Sequence, residues 1–188
     1  PNMEMAEALI RRAAEGGAVY VQTPENTAIM ELETDRLLSK LEVEEKAAPL
    51  KRFQALAKEL GIWLHVGSLG MKLSSGKVAN RSYLIAPDGE VAARYDKLHM
   101  FDVDLAGGES YRESCTFDPG ATAVLADLPW GRLGMSICYD LRFAALYRAL
   151  ANGGADMIAV PAAFTRQTGE AHWDVLLRAR AIETGAYV

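Results

Sequence analysis

The 188-residue chain is short of several things, and each shortage removes a class of function. It has two cysteines, Cys115 and Cys138, too few for the disulfide framework of a small secreted domain. Its three histidines, His65, His99 and His172, lack the spacing of a zinc site. No apolar run approaches the roughly 20 residues of a membrane span, and no signal-peptide pattern opens the sequence. Positive charge is in deficit. Lys and Arg number 20 against 25 Asp and Glu, a formal net charge of -5, whereas a nucleic-acid partner calls for a concentrated basic face. Internal repeats and low-complexity tracts are missing, and so is the Gly-x-Ser-x-Gly elbow of a serine hydrolase. The expectation is a cytoplasmic globular protein with reduced thiols, no metal or other cofactor, and no nucleic-acid or membrane partner.

Half of the residues are hydrophobic, enough for a sizeable core, and no shift in composition divides 1–188 into two domains. The chain opens at Pro1 on a pattern that is already helical. It stops at Tyr187-Val188 just as an apolar strand begins. The expectation is therefore a single domain that lacks a first strand and a C-terminal part.

Periodicity supplies an outline. Met3 to Ala14 has helical spacing with a glycine stop, and Ala18 to Gln22 is a short strand running into Thr23-Pro24-Glu25. Residues 31–46 are strongly charged and read as a solvated loop or exposed helix. Ala47 to Leu60 is an amphipathic helix with Gly61 as its C-cap, and Ile62 to Ser68 is a strand. Arg81 to Ala86 and Glu90 to Tyr95 form a hairpin about Pro87-Asp88-Gly89, where Pro presets φ and Gly accepts a positive one. Residues 99–120 read as irregular. Strands Ala121 to Asp127 and Arg132 to Ile137 follow, then a helix from Phe143 to Asn152, a strand from Met157 to Val160 and a helix from Ala171 to Thr184. Strands alternating with helices imply an α/β layered fold with a mixed sheet.

In such folds reactive groups gather at the carboxyl ends of strands, and three side chains stand there. Cys138 follows the run Gly131 to Ile137 and precedes a helix, whose dipole would favour the thiolate. Glu25 directly follows the strand ending at Gln22, where partial desolvation suits a proton shuttle. Lys97 follows the second hairpin strand. Taken singly, each has an ordinary reading: a buried structural thiol, a loop acid, a solvated lysine. Taken together, they supply the nucleophile, proton carrier and oxyanion donor that hydrolysis of an amide requires.

The segments Thr23-Pro24-Glu25-Asn26, Tyr95-Asp96-Lys97-Leu98-His99 and Ser136-Ile137-Cys138-Tyr139-Asp140-Leu141-Arg142-Phe143 resemble the three signature blocks of the nitrilase superfamily of carbon–nitrogen hydrolases, in the family's Glu, Lys, Cys order. Tyr111-Arg112-Glu113-Ser114 looks like the block carrying an additional active-site glutamate. Ala162 to Gly169 and Leu176 to Glu183 resemble the amidase branch that holds omega-amidases and deaminated glutathione amidases. The resemblance implies a four-layer α-β-β-α sandwich with mixed sheets, incomplete at both ends, and a homodimer or higher homo-oligomer paired through helices Phe143 to Asn152 and Ala171 to Thr184.

It also implies catalytic roles for Glu25, Lys97, Cys138 and Glu113, with the Tyr139 N–H as a second oxyanion donor and Glu113 orienting Lys97 or the substrate nitrogen. The expected substrate is a small amide bearing a distant carboxylate. Arg142 would either pair with that carboxylate or pair internally with Asp140 or another acid. Tyr139, Phe164 and Thr165 are the candidate pocket lining. His172 with Trp173 reads as a helix-end contact, Cys115 as a bystander, and His65 and His99 carry no assigned role. A nitrilase, an N-carbamoyl amino-acid amidohydrolase and a non-catalytic scaffold of the same fold are the alternatives.

Overall fold

The computed structural model describes residues 2–31, 33–105 and 108–188. Pro1, Leu32 and the pair Ala106-Gly107, the last three within stretches read as loops, lie outside the described residues. Helix α1 (Asn2–Glu15) leads into β1 (Tyr20–Gln22), a long connection holding α2 (Thr34–Lys40), and α3 (Ala48–Leu60). Strands β2 (Trp63–Lys72), β3 (Val78–Ile85) and β4 (Val91–Asp96) follow as an antiparallel meander, with β1 parallel to β2 at the edge. A small antiparallel pair, β5 (Asp102–Asp104) and β6 (Ser110–Arg112), separates this sheet from a second. That second sheet is β7 (Val124–Leu128), β8 (Gly131–Met135) and β9 (Met157–Ala159), with α4 (Ala144–Asn152) and α5 (Arg166–Thr184).

The layers follow from which face each strand residue buries. On β3, Tyr83 and Ile85 pack with Phe53 and Leu56 of α3, while Leu84 between them packs with Met135 and Ile137 of the other sheet's chain. A strand buried on both faces reads as a continuous apolar run rather than an alternation. On the second sheet Gly134 sits against Leu150 of α4. The order is therefore α1 and α3, first sheet, second sheet, α4 and α5: an α-β-β-α sandwich.

Four readings of the sequence are corrected. Residues 31–46 take the helical alternative at α2, with a 3-10 turn at Glu44–Lys46, but they are not wholly solvated, because Leu37 and Leu41 bury against Val78. Residues 99–120 are not wholly irregular: β5 and β6 pair there, pinned by Arg112 gripping Asp104 at 2.7 and 2.9 Å. Strand β2 runs on to Lys72, because Leu69 and Met71 are buried past the point where the apolar run looked finished. Helix α5 begins five residues early, at Arg166 rather than Ala171, because Thr165 caps it by accepting the Thr168 N–H. A side-chain cap makes a first turn worth forming despite Gly169 inside it.

Candidate active site

Four acidic, basic and thiol side chains from distant parts of the chain meet where the two sheets face each other. A bulge places the first. The β2–β3 register shifts between Val66 and Leu69, and the loop after β1 drops into the gap. Thr23 N–H donates to His65 O at 3.0 Å, Gly67 N–H to Thr23 Oγ1 at 3.0 Å, and Asn26 N–H to Ser68 Oγ at 2.8 Å. Gly67 has to be glycine, since a Cβ there would lie 2.1 Å from Thr23 O and 2.4 Å from Pro24 O. That close approach turns Glu25 inward, 6% exposed.

Lys97 follows β4 directly. Its N–H donates to Asn80 O at 3.0 Å and its C=O accepts from Gly120 N–H at 2.8 Å. The ammonium, 2% exposed, donates to Glu25 Oε1 at 3.0 Å and to Glu113 Oε1 and Oε2 at 3.0 and 2.9 Å. Glu113 opens a 3-10 turn after β6 and is itself held by the Phe101 N–H at 2.6 Å. Glu25 Oε1 also accepts from Asn80 Nδ2 at 2.9 Å, and its Oε2 from Ala163 N–H at 3.0 Å.

Cys138 opens the 3-10 turn Cys138–Arg142 past β8 with φ 50, a left-handed conformation that a non-glycine residue adopts only when its surroundings compel it. Its N–H donates to Pro161 O at 2.9 Å. The fully buried Asp140 carboxylate accepts from Ile137 N–H at 2.9 Å, Tyr95 Oη at 2.6 Å and His99 N–H at 3.0 Å, with His99 Nδ1 at 2.7 Å. Asp140 thus ties the Cys138 turn to the strand and loop that carry Lys97. Sequence reading gave His99 no role; it is a partner of this clamp, stacked 3.6 Å from Phe143.

The electrostatics correct one expectation. Burial, then the neighbouring Glu25 carboxylate, push the Cys138 thiol well above the usual thiol range, and the Lys97 ammonium pulls it back only in part. The turn dipole does not produce a resting thiolate. A five-residue 3-10 turn offers little field, while desolvation and a like charge both oppose ionisation. Burial works to discharge Lys97, but Glu25 and Glu113, with Cys138, outweigh it, and its pKa is raised. The resting cluster is a neutral thiol next to Glu25, beside an ammonium shared by two carboxylates.

A cleft of about 440 Å³ opens above this cluster, and Glu25, Lys97, Glu113, Cys138, Phe164 and Thr165 all face it. Thr165 also caps α5. Tyr139 and Arg142 lie beside the cleft rather than in its wall: the Tyr139 ring meets Phe101 edge-on at 5.1 Å, and the Arg142 guanidinium lies over Tyr139 and Phe164 at 5.7 and 5.6 Å. Arg142 does not pair with Asp140, whose oxygens are taken as described. It contacts His172 Nδ1 at 3.3 Å, and among the described residues it forms no ion pair with a carboxylate. His172 lies within α5, in its second turn, rather than at a helix end. Nothing among the described residues accepts the Tyr139 N–H. The sequence does not mark out Asn80, Gly67 or the Phe101 and Ala163 N–H groups, and it offers Asp140 only as a partner for Arg142. A polar Asn inside an apolar strand was the available signal for the first. Among the described residues no group of three or more His, Cys, Asp or Glu side chains is arranged to hold a metal ion.

Fold and site together describe an α-β-β-α sandwich with a buried thiol, carboxylate and ammonium centre at the sheet interface. The chain belongs to the carbon-nitrogen hydrolase family, whose model matches residues 1–188. It is 44% identical over 185 residues to the deaminated glutathione amidase of Yersinia enterocolitica, covering 97% of this chain and 64% of that protein. It is 36% identical over 189 residues to the omega-amidase of Homo sapiens, covering 100% of this chain and 67% of that one. The crystal structure of the C. elegans NitFhit protein superposes with a TM-score of 0.89 at 35% identity, covering 98% of this chain and 45% of that one. The chain thus spans a little under two thirds of the first relative's length.

Proposed function

We propose that the protein is an amidase that cleaves a small carboxylate-bearing amide to the acid and ammonia through a thioester on Cys138. The observation that carries this reading is the single Lys97 ammonium, bonded at 2.9–3.0 Å to both Glu25 and Glu113 beside a buried thiol at the floor of the cleft. In this reading Glu25 takes the thiol proton as sulfur attacks the amide carbonyl. The oxyanion falls between the Lys97 ammonium and the unpaired Tyr139 N–H, in a largely buried setting where such donors act strongly. Glu25 passes its proton to the departing ammonia, then draws one from the water that cleaves the thioester, and Cys138 leaves as the thiol. Glu113 holds the ammonium in place. Arg142, presented on two aromatic faces without a carboxylate of its own, takes the substrate carboxylate.

Both relatives named above are amidases, which supports this reaction over nitrile or carbamoyl hydrolysis. The same reading includes a homodimer paired across α4 and α5, the latter leaving Val175 65% and Ile182 82% exposed. The test is ammonia release from 2-oxoglutaramate, deaminated glutathione, a nitrile and an N-carbamoyl amino acid, side by side. Turnover of the two carboxylate-bearing amides is expected. Ammonia from the nitrile or carbamoyl compound alone would overturn the assignment.

A further inference from the structure

Asn80 stands in the interior of β3, 1% exposed, between Ala79 and Arg81. Its side-chain Nδ2 lies 2.9 Å from Glu25 Oε1 and 3.5 Å from Glu113 Oε1. Its Oδ1 is buried and has no hydrogen-bond partner among the described residues. Exchanging the two ends of the amide would set its oxygen against two carboxylates and strand the NH2 group instead, so the site dictates the orientation. A buried unpaired acceptor is a standing cost, and Asn is a poor strand former. An apolar residue of the same shape would relieve both. The sheet gains nothing from this amide; the carboxylates do.

We infer that Asn80 is a positioning residue of the hydrolytic centre, its amide N–H groups holding the Glu25 carboxylate in register with the Lys97 ammonium and the Cys138 thiol. The inference rests on the hydrolase reading above. The charged and titratable groups around Asn80 come from four elements: Glu25 after β1, Lys97 after β4, Glu113 after β6, and Cys138 after β8, reached through Glu25. Two carboxylates share one ammonium, so the cluster carries an excess negative charge that the two amide hydrogens offset. Asn80 does not line the cleft, so it acts on substrate only through Glu25.

Two variants test this. Asn80→Leu is nearly isosteric and removes both the donor and the orphaned oxygen. Asn80→Asp keeps the shape and replaces the donor with a third carboxylate. Losing a hydrogen bond to a charged group corresponds to roughly 10–100-fold in kcat. For Asn80→Leu the expected result is that loss, KM within about twofold, an unfolding midpoint no lower than the parent's, and an acid limb of kcat moved up by about one pH unit, since losing the donors favours the protonated carboxyl. Asn80→Asp should lose at least as much, and it decides the matter on the same readouts if the leucine variant does not fold. A folded variant with parental kcat and acid limb overturns the inference, as does a kcat loss that tracks lost stability with the acid limb unmoved. If the parent protein itself hydrolyses no amide, the hydrolase reading fails separately. The pH dependence of Cys138 alkylation by iodoacetamide then reads the Asn80 contact alone: a shift to higher pH in Asn80→Leu supports it, and an unmoved profile sinks it.

Discussion

Replacing Lys97 with Met probes the centre through stability as well as rate. The parent buries an ammonium, 2% exposed, between Glu25 and Glu113, at 2.9–3.0 Å from each. Methionine fills the channel but leaves two buried carboxylates facing each other without a counter-charge. Removing one partner from a buried ion pair costs about 3–5 kcal/mol, and that is the loss expected at neutral pH. The sign with pH follows from linkage. The folded-state pKa of Lys97 is raised above its unfolded value. Its contribution is therefore complete below the ordinary lysine range, near 10.4, and fades only as the pH climbs through the higher folded value. On the acid side the gap between variant and parent should narrow as pH falls, because one proton on either glutamate ends the repulsion, and two buried like charges take up that proton more readily than the paired carboxylates of the parent do. Urea unfolding of both proteins from pH 4 to pH 9 measures this. The double variant Lys97→Met/Glu113→Gln should regain part of the lost stability at pH 7, and kcat of the single variant should fall by at least about 10²-fold, the usual cost of one oxyanion donor. A gap under 1 kcal/mol, or one that does not change with pH, would refute a buried, doubly paired ammonium.

Two further outcomes follow from the same geometry. Without substrate, the raised Cys138 thiol should alkylate slowly at pH 7.5 and faster with each step toward pH 10, while the exposed Cys115 reacts first; peptide mass mapping of iodoacetamide-treated protein checks the order, and preferential Cys138 labelling with a flat pH profile would contradict it. Gly67→Ala forces a methyl to within 2.1 Å of Thr23 O, so it should destabilise by about 1–3 kcal/mol, as overpacking does, and displace Glu25; a fully active, equally stable alanine variant would show that the bulge does not set that side chain.

Much of this site was legible in the sequence for one physical reason. Glu25, Lys97 and Cys138 each stand just past a strand, and in layered α/β folds strand ends are where side chains escape packing and meet. The strands are readable where both faces are buried, as at the end of β3, where Tyr83 to Ile85 form a buried apolar run. Other features depended on contacts between distant segments. The thiolate expectation for Cys138 rests on a helix dipole suggested by its neighbours along the chain, whereas burial between the sheets, and after it Glu25 from a distant segment, push the thiol the other way. Asp140 suggests itself as a partner for Arg142 because they stand two residues apart, yet Asp140 faces Tyr95 and His99. The β5–β6 pair is too short for periodicity to register, and the first turn of α5 hides behind Gly169. Asn80 was the subtler omission, since a polar residue inside a strand looks like a defect until the carboxylates beside it are known.

The central claim is that Cys138 attacks the substrate carbonyl within this cluster. Acid quenching during steady-state turnover of an amide, followed by digestion and mass spectrometry, addresses it directly. The account predicts an acyl group, the substrate less ammonia, on the Cys138 peptide, and none in Cys138→Ala, which should also release no ammonia. Undiminished ammonia release from Cys138→Ala would contradict it.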